Sequence, residues 1–451
     1  MNIGILGSGY VGLVTAACLA ELGHEVVCVD IDRERVAALR RGEVPIYEES
    51  LPELLARHSG KSLRFTDSLA EALEVSTVVF IAVGTPASET GEPDLSYVEA
   101  ATRDVARLAK HPIVLVEKST VPVCTSNWIR LVITECDQNH NIQVAANPEF
   151  LREGTAVRDF LCPDRIVIGS DSHSAEQILQ DIYRPLTDGS YYQREDAMYR
   201  KAQPAKLIST RTKSAELIKL SANAYLAMKL SFINAVSIIC ENVGADIAEV
   251  SAGIGADERI GSRFLNPGVG FGGSCFPKDL KAFQSVAAEA GYDFRLLKEV
   301  IDINEMQRVR FIKKVRSALW NLPGKRLAVL GMAFKGGTDD VRESPALAVI
   351  RDLVKMRCQV IAYDPAAQER AKAALGDIEI EYADSAYAAA EGADAVLILT
   401  EWTEFKQLDL VRLRSLLRHP VMIDGRNLFD PEQMAAQGFY YYSIGRPSSQ
   451  A

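Results

Sequence analysis

NIGILGSGYVGLVTAACLAELG, residues 2–23, is the stretch that decides how the N-terminal half of this chain folds. Ile3–Leu6 is a short apolar run that passes directly into Gly7-Ser8-Gly9-Tyr10-Val11-Gly12. The residues that follow are small or apolar, contain no Pro, and read as a helix. Strand, glycine turn and helix in that order make a phosphate cradle. Gly7 permits the tight turn, Gly9 lets a pyrophosphate approach the backbone, and Gly12 lets helix and strand pack closely. The helix N-terminus then faces the anion. Val26–Val29 is the next strand, ending at Asp30, 18 residues beyond Gly12. A carboxylate there bonds the adenosine ribose and repels a 2′-phosphate, which favours NAD over NADP. Arg35 lies close by and keeps NADP open. FAD uses a similar cradle, and a nucleotide-free fold could use the same turn.

Outward from this unit, Val78–Val83, Ile113–Val116 and Ile166–Ile168 are further strand-like runs separated by amphipathic stretches, up to about Gln203. This alternation predicts a doubly wound, largely parallel α/β sheet. From Ser214 to about Gly244 the chain reads as one helix, free of Gly and Pro until its end. About 30 residues of helix reach about 45 Å, a rod suited to linking two domains and to dimerising. Helical patterns continue to about Leu319, interrupted by the Gly-rich NPGVGFGGSCFPKD. The pattern resets at Pro323–Gly324, after which Arg326–Leu330, Val360–Tyr363 and Ala395–Leu399 read as strands of a second, smaller α/β unit. The expected domains are therefore 1–203, a dinucleotide-binding unit; 204–320, a helical linker bearing the Gly-rich loop; and 321–451, the second α/β unit. The last residues, Pro447–Ala451, are expected to lack order.

Composition narrows the function classes. A formal charge of -10 disfavours a broad grip on nucleic acid, although a few placed cations suffice for a small anion. The eight cysteines are scattered singly, without a CxxC or a metal-like cluster, so no metal site and no disulfide framework is expected. A reducing cytoplasmic setting fits that usage. The N-terminus has no basic region or cleavage site, and no apolar stretch is read as long enough to span a bilayer.

Four segments carry the chemistry. Ser119-Thr120-Val121-Pro122 follows a strand, residues 147–154 are NPEFLREG, residues 270–279 are GFGGSCFPKD, and Lys219 and Asn223 stand four apart on one helical face. Cys275 is the sharpest candidate, since Lys278 and Asp279 follow it in a Gly-rich loop. Nearby cations favour a thiolate, the better nucleophile. An aldehyde held on it as a thiohemiacetal can lose a second hydride and become a thioester, which water hydrolyses. Lys219 and Asn223 can stabilise the oxyanion, and Asp279 or Glu153 can act as base or order a water. Plain alternatives exist for each. Cys275 could be structural, Lys219 a solvated helix charge, Asp279 a cap for a helix Leu280–Ala290, and Glu149 and Glu153 loop surface. A one-hydride dehydrogenase and a non-enzymatic nucleotide sensor are the competing classes, separated by the number of NADH formed per substrate.

Taken together, GSGYVG, VGTP at 83–86, STVP, NPEFLREG, the Lys219/Asn223 helix, GFGGSCFPKD, GMAFKGGTDDVRESP at 331–345 and DGRNLF at 424–429 resemble the UDP-glucose/GDP-mannose dehydrogenase family over nearly the whole chain. The resemblance implies two Rossmann-like domains joined by a long central helix, a homodimer formed through that helix, and oxidation of a sugar C6 alcohol to a carboxylate by two NAD. By the same resemblance Cys275 is the thiol nucleophile. Lys219, Asn223 and Asp279 handle oxyanion and water, and Thr120, Glu149 and Glu153 complete the reacting group. Cofactor contacts are implied for Gly7, Gly9, Tyr10, Val11, Gly12, Asp30, Arg35, Thr85, Thr120, Glu153, Lys278 and Arg342. Substrate contacts are implied for Glu149, Phe150, Leu151, Arg152, Lys219, Asn223, Phe264, Phe271, Gly272, Gly273, Phe334, Lys335 and Arg426, with Arg259 reaching a neighbouring subunit's site. The Pro163-Asp164-Arg165 triplet is similar to the UDP-glucose branch. UDP-glucose is thus the expected substrate and UDP-glucuronate the product, with GDP-mannose and UDP-N-acetylhexosamines as alternatives. Gly331-Met332-Ala333 is an incomplete dinucleotide motif, which suits a nucleotide other than a second NAD.

Overall fold

The computed structural model describes residues 1–86, 93–136, 142–200 and 203–447. Residues 448–451, for which disorder is expected from sequence, lie outside them. Two compact units emerge: Met1–Ala222 with Lys281–Glu289, and Asn223–Leu280 with Ala290–Ala451.

The first unit is built on eight strands: β1 (Asn2–Leu6), β2 (Glu25–Val29), β3 (Leu63–Thr66), β4 (Val78–Ile81), β5 (Ile113–Glu117), β6 (Ile142–Ala146), β7 (Arg165–Ser170) and β8 (Lys206–Thr210). Their order is β3-β2-β1-β4-β5-β6-β7-β8, with every pairing parallel except β6 with β7. Parallel strands need crossovers that cover both sheet faces, so their residues are buried on both sides. β5 shows this, with all five residues buried. The first helix, Tyr10–Glu21, is buried from Gly12 to its end. A helix apolar all round belongs in a core. Its last residue, Glu21, is kept there by Arg57 at 3.0 Å and His58 at 2.7 Å.

The second unit carries β9 (Arg326–Leu330), β10 (Gln359–Tyr363), β11 (Glu381–Tyr382), β12 (Ala395–Ile398), β13 (Val421–Asp424) and β14 (Tyr440–Ser443), in the order β11-β10-β9-β12-β13-β14. All five pairings are parallel. Both sheets reverse their winding beside the first strand, between β1 and β4 and between β9 and β12. Ligands of such sheets bind in the crevice at that switch point. The sequence reading located three of the six strands here. It missed β11, which has two residues, and β13 and β14, where Pro420 and a run of three tyrosines blur the period of two.

Thr212–Val243 is one helix of 32 residues, about 48 Å long. An 18-residue window of it has mean hydropathy 1.4, so by length and composition it could cross a membrane. That corrects the expectation that no stretch is long enough. Its polar residues nevertheless bond like those of a core helix. Glu216 accepts from the Cys124 and Ser126 amides, Ser231 donates to the Val300 carbonyl, and Asn234 accepts from the Gly268 amide.

Candidate active site

The glycine turn is tight for a measurable reason. A Cβ placed on Gly12 would lie 1.9 Å from the Gly7 carbonyl oxygen, so only glycine fits, while nothing stands within 4 Å of a Cβ on Gly9. The helix beginning at Tyr10 has no side-chain cap and no acid in its first turn. Its first turn is therefore left uncapped by side chains, which fits a pyrophosphate. Asp30 stands just past β2, and its carboxylate accepts from the Ser8 amide at 2.7 Å and the Ser8 hydroxyl at 2.6 Å. Burial opposes its charge, but these bonds and Arg35, at 3.6 Å, hold the carboxyl below the usual range. It stays ionised, as ribose binding requires. Val11 is half-buried in the same turn. The Tyr10 hydroxyl is aimed elsewhere, at Glu48, and burial raises it far out of the titrating range. Glu48 also accepts from the Gly154 amide at 2.8 Å, tying the NPEFLREG turn to the cradle. Thr85 donates to the Thr120 carbonyl at 2.9 Å, linking the loops that leave β4 and β5. These residues fit NAD.

A second cluster in this unit gathers around Glu149. Lys219 Nζ lies 2.8 Å from Glu149 Oε1, and the two residues are 4% and 6% exposed. Neither is a surface charge. Burial works against the Glu149 carboxylate, yet Lys219 and the Leu151 amide, at 2.6 Å, bring its pKa below the ordinary value. Arg165 stacks on the Phe150 ring at 3.6 Å, so the arginine of the Pro-Asp-Arg triplet braces this turn. Arg152 instead pairs with Asp159 at 2.6 Å, and Glu153 is half-buried beside it.

The other half of the predicted set sits in the second unit. Cys275 directly precedes the helix Phe276–Glu289, and its carbonyl accepts from the Asp279 amide at 2.8 Å. The thiol thus stands at a helix N-terminus, a position that favours a thiolate. Asp279 lies inside the first turn rather than capping a helix from Leu280. Its carboxylate is buried and held by Asn223 Nδ2 at 2.6 Å and Lys278 Nζ at 3.0 Å. Phe271 and Phe264 flank Phe276 at 5.7 and 6.3 Å, forming an apolar wall next to the thiol. Phe264 has φ 63, a strained value for a bulky side chain. The loop is threaded so closely that a Cβ on Gly272 would meet the Glu343 carbonyl oxygen at 2.1 Å. The Gly273 amide donates to the Arg342 carbonyl at 2.9 Å. Arg426 reaches the carbonyls of Leu399 at 2.9 Å and Phe334 at 3.0 Å. Lys335 lies over the Phe334 ring at 5.8 Å, Arg342 pairs with Asp340, and Arg259, largely exposed, pairs with Asp257.

Several supporting residues escape sequence reading. Asn304 grips Phe271 from both sides, accepting from its amide at 2.7 Å and donating to its carbonyl at 3.0 Å. Asp364 accepts from the Met332 and Ala333 amides at 2.6 and 3.0 Å and from Trp402 at 3.2 Å. It repeats in the second unit the Asp30–Ser8 arrangement, but takes two loop amides where Asp30 takes one. Lys118 and Asn147 are buried beside Glu149. An Asp at a strand end or an Asn on a helix carries no local signal of this kind, because the partner is far away in sequence.

Comparison with known proteins follows the same division. The family models described as the UDP-glucose/GDP-mannose dehydrogenase family NAD binding, central and UDP binding domains match residues 1–187, 213–306 and 328–431. The UDP-glucose 6-dehydrogenase TuaD of Bacillus subtilis is 45% identical over 449 residues, 99% of this chain and 94% of that protein. The UDP-glucose 6-dehydrogenase of Rhizobium meliloti is 44% identical, over 99% of this chain and all of that one. Among solved structures, a UDP-glucose dehydrogenase from Pyrobaculum islandicum superposes with TM-score 0.88 at 36% identity, covering 99% of this chain and 98% of its own.

Proposed function

This chain belongs to the UDP-glucose/GDP-mannose dehydrogenase family, and from that premise we propose that it oxidises C6 of UDP-glucose to the carboxylate of UDP-glucuronate. The observation that carries the mechanism is Cys275 at a helix N-terminus, beside an Asp279 already bound to Asn223 and Lys278. The Gly7–Gly12 turn and Asp30 would hold NAD, which would supply the hydride acceptor for each of two oxidations. In the first, the C6 alcohol gives up a hydride and a proton and becomes an aldehyde. The Cys275 thiolate adds to the carbonyl carbon, and Lys219 and Asn223 stabilise the oxyanion. Loss of the second hydride from this thiohemiacetal leaves a thioester. Asp279 orients the water that attacks it; the C–S bond breaks, and carboxylate and thiol are released. Two NADH form per sugar.

The second unit then takes the uridine diphosphate, with Arg426 and Lys335 as its cations. Its Asp364 already satisfies the Met332 and Ala333 amides, which favours a ligand other than a dinucleotide there. The chain works as a homodimer through Thr212–Val243: Tyr225, Phe232 and Ile239, seven residues apart, are 55%, 54% and 59% exposed. A spacing of seven drifts only about 20° around a helix, so the three make one apolar stripe. The compartment is the cytoplasm. All eight cysteines are thiols outside any disulfide, as a reducing environment keeps them.

The deciding experiment mixes the protein with limiting UDP-glucose and excess NAD and counts NADH. Two per sugar, with none from GDP-mannose, is the expected result. One per sugar would reduce Cys275 to a structural role. Two from a UDP-N-acetylhexosamine alone would keep the mechanism and change the substrate.

A further inference from the structure

Lys118, the residue after β5, is a buried cation that this reaction scheme leaves unused. It is 3% exposed, and its Nζ donates to Asn147 Oδ1 at 2.9 Å and to the Asn147 carbonyl at 3.4 Å. Both acceptors are neutral. The rings of Phe80 and Phe160 lie 6.0 and 5.8 Å from the ammonium nitrogen. Asn147 is itself fully engaged: Tyr183 donates to its Oδ1 at 2.5 Å, and its Nδ2 donates to the Val167 carbonyl at 2.8 Å. Asn147 begins the turn that presents Glu149 to Lys219. A cation of this burial without a carboxylate in direct contact is costly, and a fold that needed only packing would place an apolar residue there.

We infer that Lys118 is a positioning residue for the Glu149–Lys219 pair, holding in place the Asn147 turn that presents Glu149. Lys219 and Lys118 both act on Glu149 in this buried cluster, and the buried Glu117 also faces Lys118. Burial brings Lys118 down to about 8; Glu149 opposes that shift, Lys219 adds to it, and Glu117 and Cys18 act more weakly.

Resting on the reading of Glu149 and Lys219 as active-site groups, this role is tested with Lys118→Met, close to lysine in length but uncharged, after NADH stoichiometry has been measured on the wild type. A wild type that does not yield two NADH per UDP-glucose rejects that reading, whatever the variant does. Given two, Lys118→Met is expected to bind NADH within about twofold of wild type and to lose at least about tenfold in kcat with little change in KM. Unchanged kcat with NADH binding intact overturns the inference. Lys118→Gln, which keeps a donor for Asn147, is read the same way if the Met variant does not fold. Loss of NADH binding together with activity in both variants assigns Lys118 to the core alone and also overturns it.

Discussion

At the scale of single residues the proposed chemistry rests on the Cys275 thiol and on Lys219, which the buried Glu149 holds. Cys275→Ser removes a nucleophile whose thiolate the helix N-terminus favours and leaves the Gly7–Gly12 cradle untouched. Net uronate formation is expected to stop while NAD binding, followed by fluorescence titration, stays within about twofold. The Glu149–Lys219 pair makes a different prediction. Glu149→Gln strands a buried ammonium group, and losing one partner of such a pair costs about 3–5 kcal/mol at neutral pH. The Glu149 pKa is lowered in the folded chain, so its stabilising contribution is present above the unfolded carboxyl value of about 4.3. It is lost as pH falls through the folded value. Urea midpoints of wild type and variant should therefore converge on acidification below about pH 4. A gap that persists there would mean the carboxylate is not what stabilises the site. Cys275 was legible in the sequence because a thiol in a glycine-rich loop followed by Lys278 and Asp279 has a local signature. The burial of Lys219 was not, since one lysine on an apolar helix looks the same whether it faces water or a distant glutamate.

Individual elements decide whether those residues are presented correctly. The GFGGSC loop passes so close to the 331–345 loop that a methyl group on Gly272 would sit 2.1 Å from the Glu343 carbonyl oxygen. Gly272→Ala must push the loop away by about an ångström, and misplacement on that scale costs on the order of 100-fold in rate. The expected result is a kcat/KM loss of that size with a melting temperature changed by only a few degrees; a normal kcat/KM would show that the loop yields without disturbing Cys275. The glycines themselves were evident from sequence, but their reason was not. A GFGG run permits a tight turn in any setting, whereas the contact with Glu343 exists only once two segments about 70 residues apart are folded side by side. The start of the following helix was misjudged for a related reason. Pro277 suits the first turn of a helix, so the element begins at Phe276 and brings Asp279 within its first turn.

For the whole molecule, the exposed stripe Tyr225, Phe232 and Ile239 is the face proposed to meet a second copy. Phe232→Asp places a carboxylate in its middle, and burying that charge against an apolar partner costs several kcal/mol. Sedimentation velocity should find wild type with the mass of two chains and the variant shifted to one at micromolar concentration. A variant that stays dimeric would move the interface away from this helix. Its fold should survive, because Phe232 lies outside both sheets' cores. By length and composition a segment apolar enough for a bilayer has the same pattern as a core helix with one apolar face exposed.

From the sequence by itself came two winding α/β sheets, the glycine turn with its acid at Asp30, the long helix and the candidate thiol. Each follows from short-range rules: a period of two or 3.6, a glycine where a side chain will not fit, a nucleophile beside cations. Tertiary structure alone decided that Lys219 and Lys118 are buried beside one carboxylate, that Asp279 bonds Asn223, that Asn304 clamps Phe271, and that Asp364 uses the second loop's amides. Those partners are between 31 and 70 residues apart in the chain, and their charges and hydrogen bonds acquire their strength only where folding has removed water.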